Sequence, residues 1–253
     1  MTNIRNRAER TTLLVIAAIA AIILIMMIAP EKAAAMTKDQ AAAEKEIIND
    51  LKNHDESIDV SKYDLTAEEL VEVQHDIYYQ HPEAFFLDTF RYTTRNGKAV
   101  SCKPSYTMSK AAAVRGQKKM VKVAKQCRVN GSKAKKVKKI HNWIIKRTSY
   151  NSKASNTQRY NAYGALVNKK AVCMGYAMAF KMIANDNGIE CQIVMNKKGT
   201  HAWNVVKIGN KWYNVDATHD DMGKKASVKK LLVADKKVGS HTGPKCTKNY
   251  RWK

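Results

Sequence analysis

The sequence predicts an α+β protein in which a helix bearing a cysteine at its start packs on an antiparallel sheet, with a further helical region upstream and an apolar leader at the N-terminus. Three observations predict this class. Residues 172–186 bring Cys173, Ala177, Phe180 and Ala184 round to one helical face and end at the stop signal Asn187-Gly188. Three apolar segments follow, at 189–195, 200–208 and 211–218, and Gly209-Asn210 joins the last two as a tight hairpin. Upstream, capped helical patterns dominate and Asn96-Gly97 supplies one more hairpin signal.

Taken in order, Arg5, Arg7 and Arg10 precede an uncharged run at 11–30, whose apolar core is 13–28, and Ala33-Ala34-Ala35 then offers a small-residue cleavage site. Residues 1–35 are therefore expected to be a signal peptide or N-terminal membrane anchor, with the arginines cytoplasmic and everything after Lys32 outside. That location, secreted or membrane-anchored, argues against specific nucleic-acid binding and makes the membrane a partner if the leader is kept. Residues 36–62 are polar and rich in Ala, Glu and Lys, and read as a spacer. Residues 63–253 form the expected folded domain, with a core at about 132–221.

Within that domain, Thr66-Ala67-Glu68-Glu69 is a capping-box pattern followed by Leu70, Val73 and Ile77 at helical spacing. The helix should stop before His81-Pro82, because proline disfavours helix at the residue before it. Short β-prone pieces flank Asn96-Gly97. Ser109 and Ser132 are positioned to cap two basic helices. In the second, Val137, Ile140, His141 and Ile144 make one stripe, so His141 reads as a packed core residue.

The charge is uneven. Of 45 Lys and Arg, 23 lie within residues 89–185, where there is no Asp or Glu; the 22 basic residues elsewhere match all 22 acids, so the net charge of +23 belongs to that stretch. Such a surface attracts polyanions, and outside the cell the candidate is an anionic cell-envelope polymer.

Five cysteines show no CxxC pair and no zinc-ligand spacing with histidine, so no metal and no cofactor is expected. An odd number leaves at least one thiol free, and Cys173 is the candidate, since a helix N-terminus stabilises a thiolate. Cys191 lies in an apolar strand and reads as a small buried hydrophobe. If Ile208 pairs with Lys211, His201 lies opposite Thr218 and Trp203 opposite Asp216. His201 and Asp216 are then diagonal neighbours on one sheet face, about 7–8 Å apart and within side-chain reach. Cys173, His201 and Asp216 thus suit a nucleophile, a base and an orienter for acyl transfer, with the Cys173 amide as an oxyanion donor.

These residues also carry a resemblance. Ala162-Tyr163-Gly164-Ala165-Leu166, Val172-Cys173 with Gly175-Tyr176-Ala177, Gly188-Ile189-Glu190-Cys191, His201-Ala202-Trp203-Asn204 and Trp212-Tyr213-Asn214-Val215-Asp216 together resemble the core of the transglutaminase-like superfamily, whose fold is papain-like. Pro82-Glu83-Ala84-Phe85-Phe86 and Ile140-His141-Asn142-Trp143-Ile144 resemble its bacterial extracytoplasmic branch. The resemblance implies Cys173 as nucleophile, His201 as general base and acid, and Asp216 as orienter. It implies a protein or peptide substrate, Trp203 as a wall of the site, and hydrolysis ahead of transfer to an amine. Tyr163 is the expected second substrate-binding residue. The sequence departs from the family pattern at Met174, Met178 and His219, the last standing where tryptophan is frequent, and these departures bear on substrate preference. The competing expectation is a non-catalytic module that docks its basic surface on an anionic polymer.

Overall fold

The computed structural model describes residues 36–153, 157–196, 199–221 and 231–233. The expected leader at 1–35 and Cys246 lie outside the described residues. Among the described residues no helix is long and apolar enough to cross a membrane.

Helix α1 (Lys38–Asn53) opens with a capping box in which the Thr37 hydroxyl accepts from the Gln40 amide and the Gln40 side chain accepts from the Thr37 amide. The expected polar spacer at 36–62 is instead part of the core. Ala43, Ile47 and Leu51 fall on one face of α1 and are buried, and Ile58 of the two-residue strand β1 (Ile58–Asp59) is buried with them. The polar majority of the segment is the outer face of a packed helix, and three apolar positions suffice to dock it. Burying a side chain of the size of Ile47 or Leu51 stabilises by roughly 1.5–3 kcal/mol.

Helix α2 (Ala67–Gln80) has the anticipated capping box of Thr66 and Glu69 and ends one residue before His81-Pro82. Strands β2 (Leu87–Arg95) and β3 (Lys98–Tyr106) form the hairpin, and β1 adds to its edge. Asn96 and Gly97 both have positive φ, 51° and 77°, which explains the Asn-Gly pair at this turn. Two basic helices follow, α3 (Lys110–Ala124) and α4 (Lys133–Arg147), with their lysines outward and Met120, Val137, Ile140 and Ile144 inward.

The central element is α5 (Cys173–Asp186). Nearly every residue of it from Met174 to Ala184 is buried, so it is enclosed on all sides rather than on one stripe. It packs against a four-stranded antiparallel sheet of order β6 (Cys191–Met195), β7 (Ala202–Ile208), β8 (Lys211–Val215) and β9 (Leu231–Val233). Ile208 pairs with Lys211, as the two-residue turn requires, and the ladder runs in step to Asn204 opposite Val215. It ends there. Val215 is followed not by more strand but by a single helical turn, α6 (Ala217–Asp220), so the expected strand at 211–218 is three residues too long and Thr218 does not face His201 across the sheet.

Candidate active site

Cys173 is the first residue of α5, and no side chain caps that helix start, because the N-cap is Val172. First-turn N–H groups therefore face the thiol without a competing side-chain cap, and no acidic residue in that turn offsets them. The approach to Cys173 is fixed by backbone. Strands β4 (Ser149–Tyr150) and β5 (Lys170–Ala171) pair in parallel, and the Val172 amide donates to the Arg159 carbonyl (3.0 Å). Gly175 is required here. A Cβ at this position would fall 2.6 Å from the Arg159 carbonyl oxygen and 2.8 Å from the Ala171 Cβ.

His201 stands one residue before β7. The Asn196 side-chain oxygen accepts from the amides of Thr200 (2.8 Å) and His201 (3.3 Å), and the Asn196 amide donates to the His201 carbonyl (3.0 Å), which clamps the loop entering the strand. Asn204, three residues on, donates from its side chain to the Ala177 carbonyl (2.9 Å) and so ties the histidine strand to the cysteine helix. His201 Nε2 lies 2.7 Å from Asp216 Oδ2. Asp216 caps α6 with its other oxygen, which accepts from the His219 amide (2.9 Å). The two residues meet directly, because both sit just past the ends of paired strands.

The electrostatics follow from this geometry. Burial raises the Cys173 thiol pKa, but hydrogen bonds from His201 and from the amides of Ala202 and Met174 outweigh it, and the net shift is downward. Burial disfavours the His201 imidazolium, yet Asp216 and Cys173 more than compensate and its pKa rises to about 9. A lowered thiol next to a raised imidazole shifts the balance towards a thiolate–imidazolium pair. The other described cysteines go the opposite way: burial pushes Cys102 and Cys127 up to about 11 and Cys191 to about 12.

Residues 121–217 match the model for the transglutaminase-like superfamily core, and this span contains Cys173, His201 and Asp216. That stretch is similar to a transglutaminase-like core. Solved structures that resemble the chain include a transglutaminase (17% identity, 59% of this chain and 49% of that one, TM-score 0.38). Another is a candidate cysteine protease from Cytophaga hutchinsonii (14% identity, 57% of this chain and 64% of that one, TM-score 0.34). The chain thus spans less than two thirds of either. No curated protein matches it.

Around the transglutaminase-like core, the other expected site residues take different places. Trp203 stacks on His201 (ring centroids 5.8 Å apart, 19° between planes) but is itself buried, and its indole N–H donates to the Asn214 side chain (2.7 Å). It supports the imidazole instead of offering a surface. Tyr163 stacks on Phe85 (5.5 Å) beside Gly116 of α3, and none of its ring or hydrogen-bond contacts is with the triad. The side chains of Met174 and Met178 are buried in the core, while the third departure from the family pattern, His219, reaches Asp216 with its ring. Its Nδ1 lies 3.5 Å from Asp216 Oδ2.

Sequence reasoning missed two features. Tyr150 is 51% exposed, pairs through β4 with Ala171, and its hydroxyl pKa is raised first by burial and then by the nearby Cys173 charge. It marks an open aromatic flank of the thiol, next to exposed Lys169 and Lys170. The second is how α6 is held. His141 Nε2 lies 3.0 Å from Asp220 Oδ2, with both side chains essentially without exposure, and the Tyr176 hydroxyl donates to Asp221 and also bonds the Thr148 carbonyl (3.0 Å). His141 is buried as expected, but as half of a polar strut.

Proposed function

We propose that this protein is a cysteine acyl-transfer enzyme that acts on peptide or amide bonds, with hydrolysis favoured over transfer to an amine. The observation that carries the proposal is the joined set of lowered Cys173 thiol, raised His201 imidazole and buried Asp216. The Cys173 thiolate attacks the carbonyl carbon, and the carbonyl π electrons move to oxygen, where the Cys173 N–H is a donor for the oxyanion. The His201 imidazolium gives its proton to the departing amine as the C–N bond breaks, leaving a thioester on Cys173. Neutral His201 then takes a proton from water, or from an acceptor amine, as that nucleophile attacks the thioester, and returns a proton to the sulfur on release. Asp216 holds the imidazole by Nε2 throughout, which leaves Nδ1 to serve the sulfur.

The preference for water rests on the resemblance alone. One experiment separates the outcomes: incubate the protein and its Cys173→Ala variant with a peptide library plus an amine donor, and read products by mass. Cleavage, deamidation and amine incorporation give different mass changes. Equal product from both proteins would remove Cys173 from the reaction.

A second reading is supported by the exposed lysines of α3 and α4, among them Lys118, Lys122, Lys135 and Lys139, in a stretch without acids. They suit docking on an anionic envelope polymer. Such binding should weaken steeply with added salt, and binding that ignores salt would count against it. The run at 13–28 supports action outside the membrane, which protease accessibility in whole cells would test.

A further inference from the structure

Asp216 Oδ2 serves two imidazoles at once: His201 Nε2 at 2.7 Å and His219 Nδ1 at 3.5 Å. The rings meet edge to face with centroids 5.4 Å apart, and the three donor atoms lie within 4.8 Å of one another. The placement of His219 is built in, because its own amide is the one that Asp216 Oδ1 accepts. Its side chain is 45% exposed, which leaves a way in from solvent, while the carboxylate it shares is 2% exposed.

We propose that His201, Asp216 and His219 form a site for a divalent transition metal, with Zn²⁺ the best match, and that its occupation silences the triad. Two imidazoles and one carboxylate make a ligand set that zinc accepts with a fourth position left for water. Imidazole nitrogen also disfavours Mg²⁺ and Ca²⁺, which take oxygen. Two donors each about 2.1 Å from a tetrahedral zinc lie about 3.4 Å apart. The Asp216 to His219 gap, 3.5 Å, already has that size, the His201 to Asp216 gap must open by about 0.7 Å, and the two imidazole donors, which lie within 4.8 Å of each other, settle at that same spacing by rotation of the exposed His219 ring. In the bound state zinc replaces the proton between Nε2 and Oδ2 and fixes His201 by that nitrogen. The ring then no longer cycles between imidazole and imidazolium, which is the step on which turnover rests in the function proposed above. A second cluster, Glu44, Asp76 and His81, also gathers ligand atoms. There both ring nitrogens of His81 already face carboxylates, Glu44 at 2.9 Å and Glu83 at 3.1 Å, so it serves as the control.

The test is a calorimetric titration of the full chain with Zn²⁺ in a Cys173→Ala background, which removes the thiol as a ligand, repeated with His219→Ala or His81→Ala added. One zinc per chain is expected, weakened at least tenfold by His219→Ala and unchanged by His81→Ala; losing even an outer partner of a ligand costs about 10–100-fold. Co²⁺ in the same proteins should give tetrahedral visible bands that His219→Ala abolishes. Affinity that survives His219→Ala, or that follows His81 instead, overturns the site. Circular dichroism separates loss of a ligand from loss of fold. With the thiol intact, Zn²⁺ should inhibit turnover over the same concentration range, and His219→Ala should relieve it; binding without inhibition overturns the silencing. Should no turnover be found, the binding titration still decides the site.

Discussion

His141→Ala is expected to cause one of the largest single losses of stability in this chain, because it removes a hydrogen-bond partner from a carboxylate that is essentially buried from solvent. His141 Nε2 and Asp220 Oδ2 are 3.0 Å apart, with 0% and 1% of their side chains exposed. One-sided disruption of such a pair costs about 3–5 kcal/mol, while replacing both members with apolar groups is often near neutral. His141→Leu with Asp220→Leu should therefore recover much of what His141→Ala and Asp220→Ala each lose, giving a coupling energy of about 2 kcal/mol or more. Urea unfolding followed by tryptophan fluorescence measures it. The pair also bears on the site, since the Asp220 amide donates to the Asp216 carbonyl (3.2 Å) and closes the turn that presents the orienting carboxylate. Alkylation of Cys173 by iodoacetamide should slow in the His141→Ala protein under conditions where it is still folded. Losses that add to within about 0.5 kcal/mol would refute the coupling. An unchanged alkylation rate would refute the link to the site.

Alkylation near pH 7 should select Cys173 over the three buried thiols, and its rate should reach half its plateau below the usual thiol range, because the Cys173 pKa is lowered. The His201 pKa is raised to about 9, so its proton is retained through neutrality, and acyl transfer should decline as the pH passes about 9; a rate still climbing there would remove His201 as proton donor. Burial disfavours a charge on His81, but Glu44 and Glu83 raise its pKa to about 9. Since that exceeds its unfolded value, the stabilisation it contributes is complete below about pH 6.5 and is lost as the pH climbs through 9. His81→Gln should flatten the pH dependence of the melting temperature across that window. Gly175→Ala forces a methyl group to within 2.6 Å of the Arg159 carbonyl oxygen and should cost about 1–3 kcal/mol and slow Cys173 alkylation; a variant as stable and as reactive as the parent would show that α5 can shift freely.

Legibility in the sequence followed the range of the interaction. The capping box at Thr66 and Glu69, the stop before His81-Pro82, the Asn96-Gly97 turn and the step of Ile208 with Lys211 depend on residues a few positions apart, and all were readable. The end of β8 was not, because Asp216 leaves the strand to cap a turn whose other support comes from elsewhere in the fold. The polar look of residues 36–62 hid α1, since three buried apolar positions in a sixteen-residue helix make a weak local pattern that only a partner surface completes.

By itself the sequence determined which residue begins α5, how the β7–β8 hairpin pairs, and that a cysteine at a helix start is followed by a histidine and an aspartate on two neighbouring strand segments. Each of these is a matter of backbone conformation, set by local side chains. The tertiary structure alone decided which imidazole nitrogen of His201 meets Asp216, that Trp203 faces inward, that His219 joins the carboxylate, and that Asp220 and Asp221 anchor the last turn to His141 and Tyr176. Those partners lie up to 79 residues apart in the chain. Contacts across that distance form only when the helices and the sheet pack together, and nothing in the spacing of either partner announces the other.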